Sequence, residues 1–162
     1  MFDRETIELA TAVLEACRRR GWRIATAESC TGGLVVAALT AIAGASDVVD
    51  RGLVTYSNAA KIELLGVPEA TLAAHGAISS ETAMAMAKGA VARARVDLAV
   101  SVTGVAGPGG GSAEKPVGLV HLAVATNSGG HGKRRIFPGN RTEIRRAVTV
   151  LALELLLAEA RG

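Results

Sequence analysis

The chain has 162 residues, 49% of them apolar, and a net charge of +3 from 18 basic and 15 acidic side chains. This apolar content supports one core of ordinary size and excludes disorder from low hydrophobicity. No apolar run reaches the ~18 residues of a membrane span, and four aromatic residues are too few to build stacking platforms for single-stranded nucleic acid. The start, "MFDRETIELA", is acidic and amphipathic, without the basic and then apolar pattern of a signal peptide. A cytoplasmic protein is expected, with neither membrane nor nucleic acid as partner. The basic excess is local to "GKRRIF" and "GNRTEIRR", which suits a small anionic ligand. Cys17 and Cys30 make no disulfide framework, and His75, His121 and His131 show no metal-binding spacing; no metal is expected.

Apolar residues at Ile7, Leu9, Ala10, Val13, Leu14 and Cys17 predict an amphipathic helix over 3–20, closed by "RRRG" with Gly21 just past its end. "WRIATAE" predicts a strand, residues 34–42 a helix ending at "AGAS", and "VVDRGLVTYS" a second strand. "NAAKIELLG" predicts a short helix with Asn58 as N-cap and Gly66 as terminator. "VPEATLAAHGAI" reads as mostly irregular, with room for one helical turn. Ser79 caps a long alanine-rich helix, "SETAMAMAKGAVARAR". "DLAVSVTGV" is an apolar, β-branched strand, and "AGPGGGSAEKP" a glycine-rich loop. "VGLVHLAVAT" is a strand, "SGGHG" reads as a turn, and "KRRIFPG" as the returning strand of a hairpin. The last helix starts at Asn140, which forms a capping-box pattern with Glu143.

Strands alternating with helices predict an α/β protein: a single three-layer α/β/α domain over residues 1–162 around a mixed, mostly parallel sheet. The last helix carries Val148, Val150, Leu151, Leu153, Leu155, Leu156 and Leu157, more than one helix face. That predicts burial against a second copy in a homo-oligomer, at least a dimer. Burial between layers of its own domain is the alternative.

Three loops at strand ends are chemically unusual: "ESCTGG", "TYSNAAK" and "TGVAGPGGG". In open α/β sheets ligands bind at such ends. Ser29 reads either as a nucleophile beside the backbone N–H groups of Cys30, Thr31 and Gly32, which would stabilise an oxyanion, or as a helix cap. Lys61, at the third position of the helix begun at Asn58, faces the positive end of the helix dipole. That position and burial would both lower its pKa and suit it as a general base; an exposed helix lysine is the other reading, and Lys115 the competing lysine. Tyr56, the only tyrosine, either relays a proton or packs. Cys30 is an alternative nucleophile, with no histidine placed in sequence to activate it. Thr103, Gly104 and Gly107 open a loop that allows close approach of backbone to ligand, though it is not a P-loop.

Together "TAESCTGGL", "RGLVTYSNAAK", "LGV", "HGAIS", "SVTGVAGPGGGSAEKPVG" and "GNRTEIRRA" resemble, in order, the hallmark stretches of the CinA C-terminal domain family, the nicotinamide mononucleotide deamidases. The resemblance covers residues 5–158. It implies hydrolysis of the carboxamide of nicotinamide mononucleotide to nicotinic acid mononucleotide and ammonia, without metal or organic cofactor. It also implies a Ser–Lys arrangement with a supporting tyrosine, carried onto Ser29, Lys61 and Tyr56. Such a substrate needs a phosphate site, for which Arg141 or Arg145 at the start of the last helix is expected, with the Gly107–Gly111 backbone as the rival cradle. A non-catalytic nucleotide-binding or interaction module of the competence-damage-inducible type is the alternative function.

Overall fold

The computed structural model describes all residues, 1–162. Helix α1 (Arg4–Arg20) starts where the Asp3 carboxylate accepts from the Thr6 N–H. It ends at Gly21, whose φ of 64° is the left-handed turn that glycine adopts without a Cβ penalty. Strand β1 (Ile24–Glu28) is buried throughout, followed by α2 (Leu34–Thr40), β2 (Val49–Val54) and α3 (Asn58–Leu65). A further helix, α4 (Glu69–His75), occupies the stretch read as irregular. It was missed because it buries none of its residues and so leaves no apolar periodicity. Helix α5 (Ser80–Ala94) begins at Ser79, whose hydroxyl accepts from Thr82 N–H, as expected.

Strands β3 (Leu98–Gly104), β4 (Leu119–Thr126) and β5 (Gly129–Ile136) follow, then α6 (Arg141–Arg161). The hairpin reverses at Asn127–Ser128, so the turn begins one residue before the expected "SGGHG" and shares only Ser128 with it. The "GGHG" stretch lies in β5, paired along β4 from Thr126↔Gly129 to Leu119↔Ile136. Glycines misled there because β5 is an exposed edge strand, which has no apolar pattern of its own.

The five strands lie in the order β2-β1-β3-β4-β5. β1 pairs in parallel with β2 and β3, while β4 is antiparallel to both β3 and β5. Four strands therefore point one way and β4 alone is reversed. Helices α1, α2 and α6 cover one face and α5 the other. The α5 layer is alanine on alanine: Ala83, Ala87 and Ala90 meet Ala25, Ala27, Ala99 and Ala123. Small residues on both sides bring α5 close to the sheet. Gly89 does the same for α3, since a Cβ there would collide with the Leu65 carbonyl oxygen. α3, with Lys61, is thereby held against the domain.

Helix α6 packs on α1, α2, β3 and β4 of its own chain. Val148, Leu151, Leu153, Leu156 and Leu157 are all buried there. Five of the seven apolar positions from which a subunit partner was expected are thus covered by the chain itself, while Val150 and Leu155 are half-buried. No helix is long and apolar enough to cross a membrane.

Candidate active site

Ser29 follows the last residue of β1, and its N–H still donates to the Val102 carbonyl of β3. The chain then turns tightly. The Gly32 N–H donates to the Ser29 carbonyl at 3.0 Å, Gly32 and Gly33 take positive φ, and α2 starts at Leu34. Gly32 therefore leaves the expected set of free donors. The N–H groups of Cys30 and Thr31 donate to no acceptor in the chain.

Two charged side chains hold this turn. Glu28 is wholly buried. Its carboxylate accepts from the N–H groups of Gly33 (3.0 Å), Val35 (3.1 Å) and Val36 (2.9 Å), and from Thr26 Oγ1 at 2.9 Å. These are the first-turn donors of α2, which have no partner within the helix, and the helix dipole favours a negative charge there. From the other direction Arg145 of α6 donates through Nε to the Cys30 carbonyl at 3.1 Å and through Nη2 to the Thr31 carbonyl at 2.8 Å.

Lys61 comes in on α3. The N-cap of this helix is Ser57, not Asn58, because Ser57 has the last extended backbone and its Oγ accepts from Ala60 N–H at 3.0 Å. Asn58 is the first helical residue, and Lys61 sits one position deeper than expected, where the end-of-helix field fades. Burial is what lowers its pKa, and Lys61 is 1% exposed. It belongs to no ion pair. Its Nζ lies 3.1 Å from Ser29 Oγ and donates to the Thr55 carbonyl at 2.8 Å. The competing Lys115 donates instead to the His75 carbonyl.

Cys30 lies next to Ser29, but burial pushes its thiol up to about 11, so it is neutral and a poor nucleophile at pH 7. Tyr56 is 61% exposed, and its hydroxyl accepts from Arg141 Nη2 at 3.2 Å; it makes no hydrogen bond to Ser29 or Lys61. Arg141 Nη1 also donates to the Gly107 carbonyl at 2.9 Å. One guanidinium thus joins two of the three loops at the start of α6. Beside it lies an open cleft of about 560 Å³ lined by Ala106, Pro108, Val117, Asn140 and Thr142. A groove of equal volume between β5 and α6 touches none of the loop residues.

Thr103 Oγ1 donates to the Ala77 carbonyl at 2.7 Å and so anchors the segment before α5. Gly104 lets β4 pass closely, since a Cβ would stand 2.6 Å from the Leu119 carbonyl oxygen. At the start of α6 the Asn140, Thr142 and Glu143 amides are engaged: Asn140 Oδ1 accepts from Thr142 and Glu143, and Glu143 accepts from the Asn140 N–H. The hydroxyls of Thr31 and Thr55 are buried without partners, one in the turn after Ser29 and one on the residue that receives Lys61.

A model of the CinA C-terminal domain matches residues 6–160. The chain belongs to that family. It is 50% identical over 157 residues to the nicotinamide-nucleotide amidohydrolase PncC of Escherichia coli, covering 96% of this chain and 95% of that one. It is 52% identical over 149 residues to a CinA-like protein of Anaeromyxobacter dehalogenans, of which it spans 36%. Among solved structures, the competence/damage inducible protein CihA of Agrobacterium tumefaciens superposes with a TM-score of 0.95 at 52% identity, over 98% of this chain and 97% of that one.

In this CinA-family chain, sequence reasoning missed Glu28 altogether. Its signal was present: a carboxylate ends an apolar strand, five residues before a glycine-led helix with no acidic residue in its own first turn.

Proposed function

We propose that the chain hydrolyses the carboxamide of nicotinamide mononucleotide to nicotinic acid mononucleotide and ammonia, as one amidohydrolase domain over residues 1–162 with Ser29 as nucleophile and Lys61 as general base. Half-identity along nearly its whole length with a nicotinamide-nucleotide amidohydrolase makes it an amidase. The observation that carries the Ser–Lys assignment is the 3.1 Å approach of a buried, unpaired Lys61 amine to Ser29 Oγ.

Neutral Lys61 takes the hydroxyl proton as Ser29 Oγ attacks the amide carbon. The N–H groups of Cys30 and Thr31 receive the oxyanion. The proton on Lys61 passes to the nitrogen as the C–N bond breaks, and ammonia leaves. Water, deprotonated by the same amine, hydrolyses the nicotinoyl ester and returns Ser29. Tyr56 stands at the rim, where it meets bound substrate rather than the Ser29 proton. Arg141, not Arg145, takes the phosphate: Arg141 lines the open cleft beside the Gly107 loop, while Arg145 does not border that cleft and holds the Cys30–Thr31 turn.

The test is ammonia release from nicotinamide mononucleotide by pure protein with chelator present. Release that disappears in Ser29→Ala is expected. Binding without release would favour the non-catalytic module instead. For the phosphate, Arg141→Ala is expected to lower kcat/KM for the mononucleotide about 10–100-fold relative to the riboside, the equivalent of one charge-assisted contact. An unchanged ratio of the two substrates would remove Arg141 from that role.

A further inference from the structure

We infer that Arg145 is a positioning residue, one that aims and polarises the backbone donors of the Cys30–Thr31 turn and does not bind substrate. This role presupposes the amidase chemistry proposed above. A peptide unit is planar and trans, so its N–H points opposite to its carbonyl. The Cys30 carbonyl and the Thr31 N–H belong to one such unit. Arg145 Nε holds that carbonyl at 3.1 Å, and Nη2 holds the next one, of Thr31, at 2.8 Å. The Thr31 N–H therefore points away from the Arg145 guanidinium. The Cys30 N–H is set by the unit before, whose Ser29 carbonyl accepts from Gly32.

The Ser29, Cys30 and Thr31 carbonyls are thus all engaged, and the N–H groups of Cys30 and Thr31 are free. Such an arrangement suits an anion that forms during a reaction. A guanidinium on a carbonyl oxygen also draws charge from the peptide unit and strengthens its N–H as a donor. Glu28 anchors the same turn through the amides of α2, so the carboxylate fixes where the turn ends and the guanidinium fixes how its peptides face. Arg145 reaches across 115 residues of sequence to do this.

The experiment is steady-state kinetics of the full chain with Arg145→Gln and Arg145→Lys, on the mononucleotide and the riboside, with thermal unfolding of each variant. Both variants are expected to lose on the order of 10²-fold in kcat, the scale of one lost oxyanion donor, with KM nearly unchanged for both substrates. Added guanidinium at millimolar concentration is expected to restore part of the kcat of Arg145→Gln, which a merely structural loss would not allow. If Arg145→Gln fails to fold, Arg145→Lys, which keeps the charge and the stem, carries the test. Wild-type kcat in either folded variant overturns the role. So does a loss confined to KM for the mononucleotide, which makes Arg145 a phosphate ligand. A folded wild-type chain that releases no ammonia overturns the amidase reading, and this role with it.

Discussion

Lys61→Met is expected to lower kcat by roughly 10²–10⁴-fold, the contribution of a placed general base, while the chain stays folded. Methionine keeps the length and apolar bulk of the buried stem but offers no basic nitrogen. The wild-type pH profile follows from the same burial. Lys61 acts only when neutral, and burial holds its pKa below the ordinary 10.5. Activity should therefore climb with pH through that depressed value and level off above it. Stability has a matching sign. The unfolded chain holds the Lys61 proton more tightly than the folded one, so folding carries the full cost below the folded pKa. That cost is relieved as pH rises from the folded pKa toward 10.5. Lys61→Met removes it, and its urea midpoint at pH 7 should rise even as activity disappears. A variant that keeps a near wild-type rate would exclude Lys61 as the base.

Glu28→Ala is expected to destabilise the chain by about 3 kcal/mol or more. The carboxylate accepts four hydrogen bonds at a position with no solvent access, three of them from the amides that open α2. Hydrogen bonds to a charged group contribute about 1.5–3 kcal/mol, and buried donors left without acceptors cost about 1–3 kcal/mol each. Against a total of roughly 5–15 kcal/mol for a domain, this is a large fraction. Urea unfolding followed by the fluorescence of Trp22, the single tryptophan, measures it. Glu28→Gln keeps one acceptor oxygen but turns an amide NH₂ toward the α2 donors, so a smaller loss is expected. Both variants should also lose activity, because Ser29 is the next residue. A Glu28→Ala midpoint equal to wild type would mean that other groups satisfy the helix end.

Most element boundaries were legible because they are local. Gly21 past α1, Ser79 before α5 and the Asn140–Glu143 box each act within about one helical turn. The chemistry-bearing loops were legible too, since reactive residues and glycines crowd at strand ends. Errors fell where local signals compete or fail. Ser57 and Asn58 are adjacent cap formers, and only the backbone conformation selects between them. The α4 segment has no buried face, and β5 has glycines where a buried strand would have apolar residues.

The pairings that make the site belong to the tertiary structure. Ser29 meets Lys61 because β1 lies beside β2 in the sheet and α3 follows directly from β2. Arg145 meets the Cys30–Thr31 turn because α6 packs over β3 and β4, on α1 and α2. Tyr56 meets Arg141 for the same reason, 85 residues away, and not Ser29. Five of the seven α6 positions that suggested a second subunit are buried by α1, α2 and the sheet. Periodicity and capping report the surroundings of a few neighbouring residues, so they set elements and faces. Which face meets which depends on strand order and layer packing, where contacts join residues far apart in the chain.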